Sequence, residues 1–176
     1  DHQSGKIHGF NGGWDNQLKL GLTYDSRDFE PDPTNGLLAQ VTSEISTHVL
    51  GSSFDSQRIT TSVNGYHSVL PEYTRLVLGG RALYSMQFGN VPFFSMNRLA
   101  SNLESQQGLG GFDTLRGYKR NRFVGDSTIL AGGEIRWSFT EWELWGQHLK
   151  PMLVPFIETG RVYDGVRIEF DRWKLS

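Results

Sequence analysis

Three charged residues in this sequence have types and an order that suit one kind of chemistry. Arg116 lies in residues 110–118, which read Gly-Gly-Phe-Asp-Thr-Leu-Arg-Gly-Tyr, and Glu134 and Glu158 follow in two later segments. A guanidinium carries five donors and stays charged, so its burial requires carboxylate partners. Both glutamates occur where polar and apolar residues alternate, which is typical of a β-strand. The residues therefore predict an arginine held by carboxylates on a β framework.

Patterns typical of enzymes are absent from the sequence. There is no Gly-x-Ser-x-Gly motif and no cysteine, and the five histidines lack the spacing of metal ligands. Residues 108–113 begin like a dinucleotide-binding glycine pattern, but they miss its last glycine and are not framed by a strand and a helix. We therefore expect no enzymatic activity, no cofactor and no metal ion.

Length and composition limit the class of protein. The 176 residues allow one domain, and a net charge of −2 gives no electrostatic basis for binding nucleic acid. No apolar run approaches the roughly 18 residues of a transmembrane helix. Strands of a membrane barrel alternate lipid-facing and lumen-facing residues, so a hydrophobic content of 37% is compatible with a membrane barrel.

Alternation with a period of two residues dominates the chain and predicts an all-β fold without helices. We predict at least six strands, together with possible partial strands near 5–11 and 166–174. Aromatic residues collect near the predicted strand ends, as in the girdles of membrane barrels, although aromatics favour strands in any β-protein. The six predicted strands lie within residues 18–24, 37–45, 59–63, 76–86, 129–139 and 152–163.

The predicted connections differ in length between the two ends of the strands. Residues 31–36 and 70–73 consist of turn-forming residues, and with strands that alternate in direction they fall on the same end as the connection 141–150. The long loop 88–127 falls on the opposite end, an asymmetry typical of outer-membrane barrels. A loop of about forty residues is unusual unless it is functional or disordered. Its apolar content favours packing against another surface, for which a barrel lumen is one candidate.

A charged turn follows the first predicted strand. Asp25, Arg27 and Asp28 precede residues 33–36, which read Pro-Thr-Asn-Gly and favour a tight turn. The three charged side chains could bracket this turn with mutual ion pairs, each contributing about 0–1 kcal/mol at a surface. The alternative interpretation is an ordinary charged turn.

Taken together, these segments resemble the BamA/TamA-type outer-membrane assembly and translocation barrels, also described as the bacterial surface antigen family. In that family an Arg-Gly-Tyr or Arg-Gly-Phe loop tip folds into the barrel lumen and docks on the two strands that follow it, and the carboxylate of the second strand is more often an aspartate. By this resemblance, the loop-tip lock is Leu115, Arg116, Gly117 and Tyr118, its partners on the strands are Glu134, Arg136, Phe156, Glu158 and Gly160, and the acidic turn is Asp25, Arg27 and Asp28.

The resemblance implies an antiparallel transmembrane β-barrel of sixteen strands with the loop 88–127 folded into its lumen. We expect residues 1–176 to form a single and incomplete barrel domain, because full members have more strands and usually periplasmic POTRA domains. The resemblance implies that the protein lies in the bacterial outer membrane and that it inserts or exports outer-membrane proteins. The implied partners are outer-membrane lipids, unfolded outer-membrane protein clients, and POTRA domains or assembly lipoproteins.

Other functions remain open at this stage. The chain could be a structural or adhesin barrel that acts through residues 88–127 without any insertase role. It could also be a lipid-acting barrel enzyme, or the membrane anchor of a secreted patatin-type lipase, a domain that some related barrels carry upstream. A soluble β-sandwich or a lipid-binding barrel is a further alternative.

Overall fold

The computed structural model of the chain describes residues 9–69, 75–99, 106–165 and 174–175. These residues contain twelve strands and two short 3-10 helices, His48–Leu50 and Phe93–Ser95. In the described ranges there is no α-helix, and no helix is long and apolar enough to cross a membrane. The strands are β1 (Gln17–Asp25), β2 (Gly36–Ser46), β3 (Ser56–Val69), β4 (Arg75–Gly89), β5 (Arg98–Leu99), β6 (Gln106–Gln107), β7 (Ser127–Ser138), β8 (Trp142–Leu144), β9 (Gln147–Leu149), β10 (Met152–Leu153), β11 (Phe156–Tyr163) and β12 (Lys174–Leu175).

Eight of these strands form one antiparallel sheet, so the all-β prediction is confirmed. The sheet order is β1-β2-β3-β4-β7-β11-β12, and β10 also pairs with β7. The six predicted segments correspond to β1, β2, β3, β4, β7 and the pair β10–β11. The predicted partial strands near 5–11 and 166–174 lie mostly outside the described residues, although Lys174 and Leu175 form β12, which pairs with Thr159 and Gly160. The predicted turn 70–73 lies outside them.

Within the described residues this sheet is open, because β1 pairs only with β2 and β12 only with β11. The structure therefore shows an antiparallel sheet of the expected kind without a closed barrel. The long loop lies between β4 and β7, which are themselves neighbours over twelve residue pairs from Arg75↔Ser138 to Met86↔Ser127. The loop thus leaves and re-enters the sheet at one end.

The two faces of the sheet have opposite chemistry. On β2, β3 and β4, polar residues such as Thr42, Thr60 and Ser85 point to the face that is buried. The other face carries exposed apolar side chains on every long strand, including Leu22 and Ile157, which are 79% and 59% exposed. A water-soluble sheet normally buries its apolar face and exposes its polar one. This arrangement is the reverse, and we call the exposed side the apolar outer face.

The long loop packs on the polar inner face and buries a small core there. Leu109 and Leu115 of the loop lie against Leu83 and Leu130, which are opposite each other on β4 and β7. Leu99, which precedes the undescribed part of the loop, belongs to the same cluster. Both loop leucines are at most 1% exposed. The loop is therefore a packed part of the fold, as its apolar content predicted.

Candidate functional site

Two glycines shape the tip of the loop. Gly110 and Gly111 have φ angles of +107° and +114°, a region that residues with a Cβ rarely adopt. The tight turn they permit is closed by hydrogen bonds from the Gly111 amide to the Leu115 carbonyl (3.1 Å) and from the Gly110 amide to the Thr114 hydroxyl (2.8 Å). This turn places Leu115 in the core and leaves Arg116 directly beside the sheet.

Arg116 reaches both glutamates that the sequence predicted. Its Nε donates to Glu158 Oε1 at 2.9 Å, and its Nη2 donates to Glu134 Oε2 at 3.1 Å. Its backbone amide also donates to Glu158 Oε2 at 2.9 Å. The guanidinium lies 3.7 Å from the centre of the Phe156 ring, a cation–π contact. Of the predicted partners, Glu134, Phe156 and Glu158 therefore contact Arg116 directly.

Glu158 is the most deeply buried charge of the site, at 1% exposure, and a second arginine shares it. Arg81 of β4 forms a salt bridge with Glu158 Oε1 and also donates to the loop carbonyls of Asp113 (2.8 Å) and Thr114. A buried carboxylate requires this kind of pairing and hydrogen bonding. We call Arg81, Arg116, Glu134 and Glu158 the tip clamp, because they join the loop tip to β4, β7 and β11.

Sequence reasoning missed the role of Arg81. Alternation placed Arg81 on the polar face of its strand, but nothing in its spacing distinguishes it from other polar residues of that face. Its contact with Glu158 spans 77 residues of sequence. The register of the strands identifies the role of Arg81. Arg81 lies opposite Gly132 of β7, and Gly132 lies opposite Glu158 of β11.

Glycines on the sheet make room for the clamp carboxylates. A Cβ on Gly79 would lie 3.1 Å from Cγ of Glu134, and one on Gly132 would lie 3.0 Å from Cγ of Glu158. Gly160, which the resemblance grouped with the lock, has a different neighbour, because its Cβ would lie 3.1 Å from Leu109 of the loop core. Gly160 thus accommodates the loop but does not touch Arg116 in the structure.

The remaining predicted tip residues flank Arg116. Gly117 is exposed, and Tyr118 packs edge-on against Phe123 with ring centres 5.1 Å apart at the border of the loop core. Tyr118 therefore supports the loop from within the loop itself. Its backbone amide also donates to the Leu115 carbonyl at 3.1 Å, which continues the turn at the tip.

A chain of ion pairs leads from the clamp to the turn between β1 and β2. Arg136 donates from Nε to Glu134 Oε1 at 2.7 Å, and its Nη1 lies 3.6 Å from Asp32 Oδ1. Asp32 in turn pairs with Arg75 at 2.7 Å. Arg136 also lies over the ring of Tyr66, 4.9 Å from its centre. The sequence predicted Arg136 but neither Asp32 nor Arg75, whose contact depends on how the turn folds over the sheet.

A cavity of about 290 Å³ opens beside the tip on the inner face of the sheet. Its walls include Arg81, Arg116 and Arg136, the carboxylate of Glu134, and the aromatic rings of Tyr66 and Phe112. Phe112 is 87% exposed, so the apolar tip of the loop projects into open space here. The lining is therefore mixed, with both signs of charge and aromatic surface.

The acidic turn forms differently from the predicted set of mutual ion pairs. Arg27 binds Asp25 through Nε and Nη2 at 2.9 and 2.7 Å, and it pairs with Glu30 at 3.3 Å. Asp28 instead accepts hydrogen bonds from the Thr34 hydroxyl and from the backbone amides of Asn35 (3.1 Å) and Thr34 (2.8 Å). The hydrogen bond from the Thr34 hydroxyl, with those from the backbone, lowers the pKa of Asp28 to about 2. Asp28 thus stabilises the turn conformation itself.

The opposite end of the sheet holds a second attachment of the loop, which the sequence did not reveal. Arg58 of β3 is 5% exposed and donates to Glu44 at 3.0 Å and to Gln87 at 2.9 Å. It also donates to the backbone carbonyl of Ser95, in the short helix Phe93–Ser95 that begins the loop. Arg58 therefore holds the start of the loop as Arg116 holds its tip.

A family model described as the Omp85 superfamily domain matches residues 9–167, which include all of the clamp and both loop attachments. No curated protein matches the chain. Among the residues that the structure describes, no group of side chains is arranged to hold a metal ion.

Proposed function

Because the chain belongs to the Omp85 superfamily, whose members are outer-membrane proteins, we propose that it forms part of an outer-membrane β-barrel that assists the assembly or export of outer-membrane proteins. The superfamily is generally one of insertases and translocators. The observation that carries the proposal for this chain is the tip clamp, in which Arg116 of a long loop contacts two carboxylates on successive neighbours in the sheet.

The faces of the sheet support a membrane position. Apolar side chains exposed on one face and polar side chains buried on the other are what lipid outside and a filled lumen inside require. A sheet in lipid must also pair its edge strands, since unpaired backbone groups cost several kcal/mol each in hydrocarbon. In our proposal further strands therefore complete the wall next to β1 and β12, and sixteen strands are the expected total.

The clamp supports a role as a brace for one section of that wall. Arg81, Glu134 and Glu158 belong to β4, β7 and β11, which are consecutive neighbours, and Arg116 and the loop carbonyls tie all three to the loop. Shear between these strands would break the charge-assisted hydrogen bonds of the buried Glu158 carboxylate. A barrel that opens elsewhere to admit a client strand needs this section to stay in place. The proposed partners are thus unfolded client proteins at the opening, lipids around the wall, and periplasmic domains or assembly lipoproteins at its base.

The proposal is tested by the Arg116→Ala variant, with Arg120→Ala as control because Arg120 is an exposed arginine of the same loop. Removing Arg116 leaves Glu134 and Glu158 close together without its charge, and loss of one partner of a buried ion pair costs about 3 kcal/mol. We expect the loop of Arg116→Ala to become sensitive to protease and the amounts of other outer-membrane proteins to fall. Arg120→Ala should change neither.

The possible outcomes test separately whether the loop tip braces the wall and whether the protein assists assembly or export. Unchanged loop protection and unchanged outer-membrane protein levels in Arg116→Ala would refute the brace. A released loop with normal levels of other outer-membrane proteins would leave a structural or adhesin barrel as the better interpretation. Loss of both together supports a barrel whose loop tip serves assembly or export.

A further inference from the structure

The connection between β7 and β10 contains a small hairpin that stands apart from the main sheet. Its strands, β8 and β9, pair only with each other in the part of the chain that the structure describes. The two residues between them, Trp145 and Gly146, have φ angles of +52° and +75°. Positive φ at both central residues is the requirement of a type I′ turn, which matches the twist of a two-stranded hairpin. The hairpin is therefore a regular element rather than an irregular connection.

The hairpin has one apolar and one polar face. Its register sets Trp142 opposite Leu149 and Glu143 opposite His148. Side chains alternate between faces along a strand, so Trp142, Leu144 and Leu149 share one face with Gln147, while Glu143 and His148 share the other. All three apolar side chains are exposed, and Trp145 at the turn is 93% exposed. Among the residues that the structure describes, neither the sheet nor the loop covers this apolar face.

The hairpin is also continuous with the apolar outer face of the sheet. Trp137, on that face of β7, lies opposite Leu153 of β10, and both are exposed. Phe139, two residues after Trp137, packs against it with tilted rings whose centres are 5.4 Å apart. These three apolar residues mark the points where the chain leaves the sheet for the hairpin and returns from it. The hairpin thus extends the outer face beyond its edge, at the end of the sheet that carries the β1–β2 turn.

We propose that this hairpin docks on the phospholipid surface at the edge of the membrane, with Trp142, Leu144, Trp145 and Leu149 in the boundary between headgroups and acyl chains. Tryptophan prefers that boundary because its ring is apolar and its N–H needs a polar partner. An amphipathic element that follows a lipid-facing surface lies in the plane of the interface with its apolar face inward. The inference rests on the membrane position given under the proposed function and adds a second lipid-binding element to it.

The charges of the hairpin indicate what kind of lipid it needs. Lys150 pairs with Glu141 at 3.2 Å, which leaves Glu143 as the remaining carboxylate of this segment. The segment has no surplus of basic residues, so electrostatic attraction to anionic headgroups does not drive docking. Docking depends on apolar area and is expected in vesicles of phosphatidylcholine alone, with little change when phosphatidylglycerol is added.

The test uses environment-sensitive fluorescence, since the chain has no cysteine and a single introduced thiol can be labelled. The full protein is folded into phosphatidylcholine vesicles with an NBD label at one of three positions. Gln147→Cys reports the hairpin and keeps its four apolar residues, Leu22→Cys reports the apolar outer face, and Val49→Cys reports an exposed loop at the opposite end of the sheet. Bromine-labelled lipids quench labels that lie in the membrane, whereas aqueous iodide quenches labels that are exposed to water.

We expect the label at Gln147→Cys to emit at shorter wavelength than at Val49→Cys, to be quenched by bromine-labelled lipid, and to be less quenched by iodide. Iodide quenching equal to that at Val49→Cys would overturn the inference. A label shielded from both quenchers would also overturn it, because the hairpin would then bind a protein partner.

The label at Leu22→Cys separates this inference from the function on which it rests. If it is quenched by lipid while the hairpin label is not, only the hairpin inference fails. If the Leu22→Cys label is open to iodide, the membrane position itself is wrong and the hairpin inference fails with it. Replacement of Trp142 and Trp145 by serine should leave lipid quenching at Leu22→Cys unchanged and weaken docking of the hairpin.

Discussion

Replacing Glu158 by glutamine tests the tip clamp at its most buried point. Glutamine keeps the size of the side chain and one carbonyl oxygen, but it removes the charge that Arg116 and Arg81 share. The amide nitrogen of glutamine is itself a donor. It would face the guanidinium N–H groups, which donate hydrogen bonds to the carboxylate in the wild type. The change therefore affects three contacts at once, namely those with the Arg116 side chain, the Arg116 backbone amide and Arg81.

The size of the effect follows from the burial of the three partners. Breaking a buried ion pair by removing one charge costs about 3–5 kcal/mol. Glu158 itself has no exposed side-chain surface, but the side chains of Arg81 and Arg116 are 28% and 23% exposed and can regain part of their hydration. We therefore expect a loss near the lower end, about 3 kcal/mol, in the free energy of loop docking. A loss of that size raises the population of the undocked loop by about a hundredfold.

Limited trypsin digestion measures that population in the folded protein. Lys119 and Arg120 lie just after the tip, and cleavage there requires the turn at Gly110–Tyr118 to open, so the rate follows the undocked fraction. The matched control is Glu30→Gln, because Glu30 pairs with Arg27 at 3.3 Å but is 67% exposed, and such a surface pair contributes about 0–1 kcal/mol. Glu158→Asp keeps the charge and should fall between glutamine and the wild type.

A Glu158→Gln cleavage rate equal to that of Glu30→Gln would show that the carboxylate does not hold the loop. The reasoning would also fail if Glu158→Asp behaved like Glu158→Gln, because the effect would then come from shape rather than charge.

Two further predictions concern the other attachments. The Asp28 pKa of about 2 lies below its usual value of 3.8, so its stabilisation of the turn is complete above about pH 4 and lost as the pH falls towards 2. The protection factor against hydrogen exchange at the amides of Thr34 and Asn35, which corrects for the pH dependence of the intrinsic exchange rate, should fall over that range in the wild type and stay level in Asp28→Asn. Arg58→Met should release the segment around Ser95 to protease, because it removes the donor to the Ser95 carbonyl, while trypsin cleavage at the tip stays slow. Simultaneous release of both segments would mean that the two attachments are not independent.

Much of the fold could be predicted from the sequence because strand formation depends on a local period. Alternation of apolar and polar residues predicted the six main strands and the faces of many of their residues, and the structure has these strands in antiparallel order. The tip motif was recognisable because its order with the two later strand segments resembles a known family, and Arg116 and the two glutamates were expected to pair because charged residues are rarely buried without partners. The role of these residues as a lock stays a prediction, although the structure brings Arg116 to both glutamates.

The missed residues share one property, which is that their partners lie far along the chain. Arg81 contacts Glu158, and Arg58 contacts Ser95. Asp32 contacts both Arg136 and Arg75. The two residues of each pair are 25 or more positions apart in the sequence. A local element was missed as well, because the connection 141–150 was not predicted to contain the hairpin in which β8 pairs with β9. Asp28 was expected in an ion pair, but the fold of the turn offers it nearer donors in Thr34 and Asn35.

The sequence by itself thus determined the strands, their two faces and the charged residues that need partners. Only the tertiary structure decided which charges meet, because the register of neighbouring strands determines which side chains are opposite each other. A shift of one residue between β4 and β7 would turn the inward residues of one strand to the other face. The fold of the loop onto the polar face decided the rest, since it buries Glu158 beneath the tip and makes the contact with Arg116 possible.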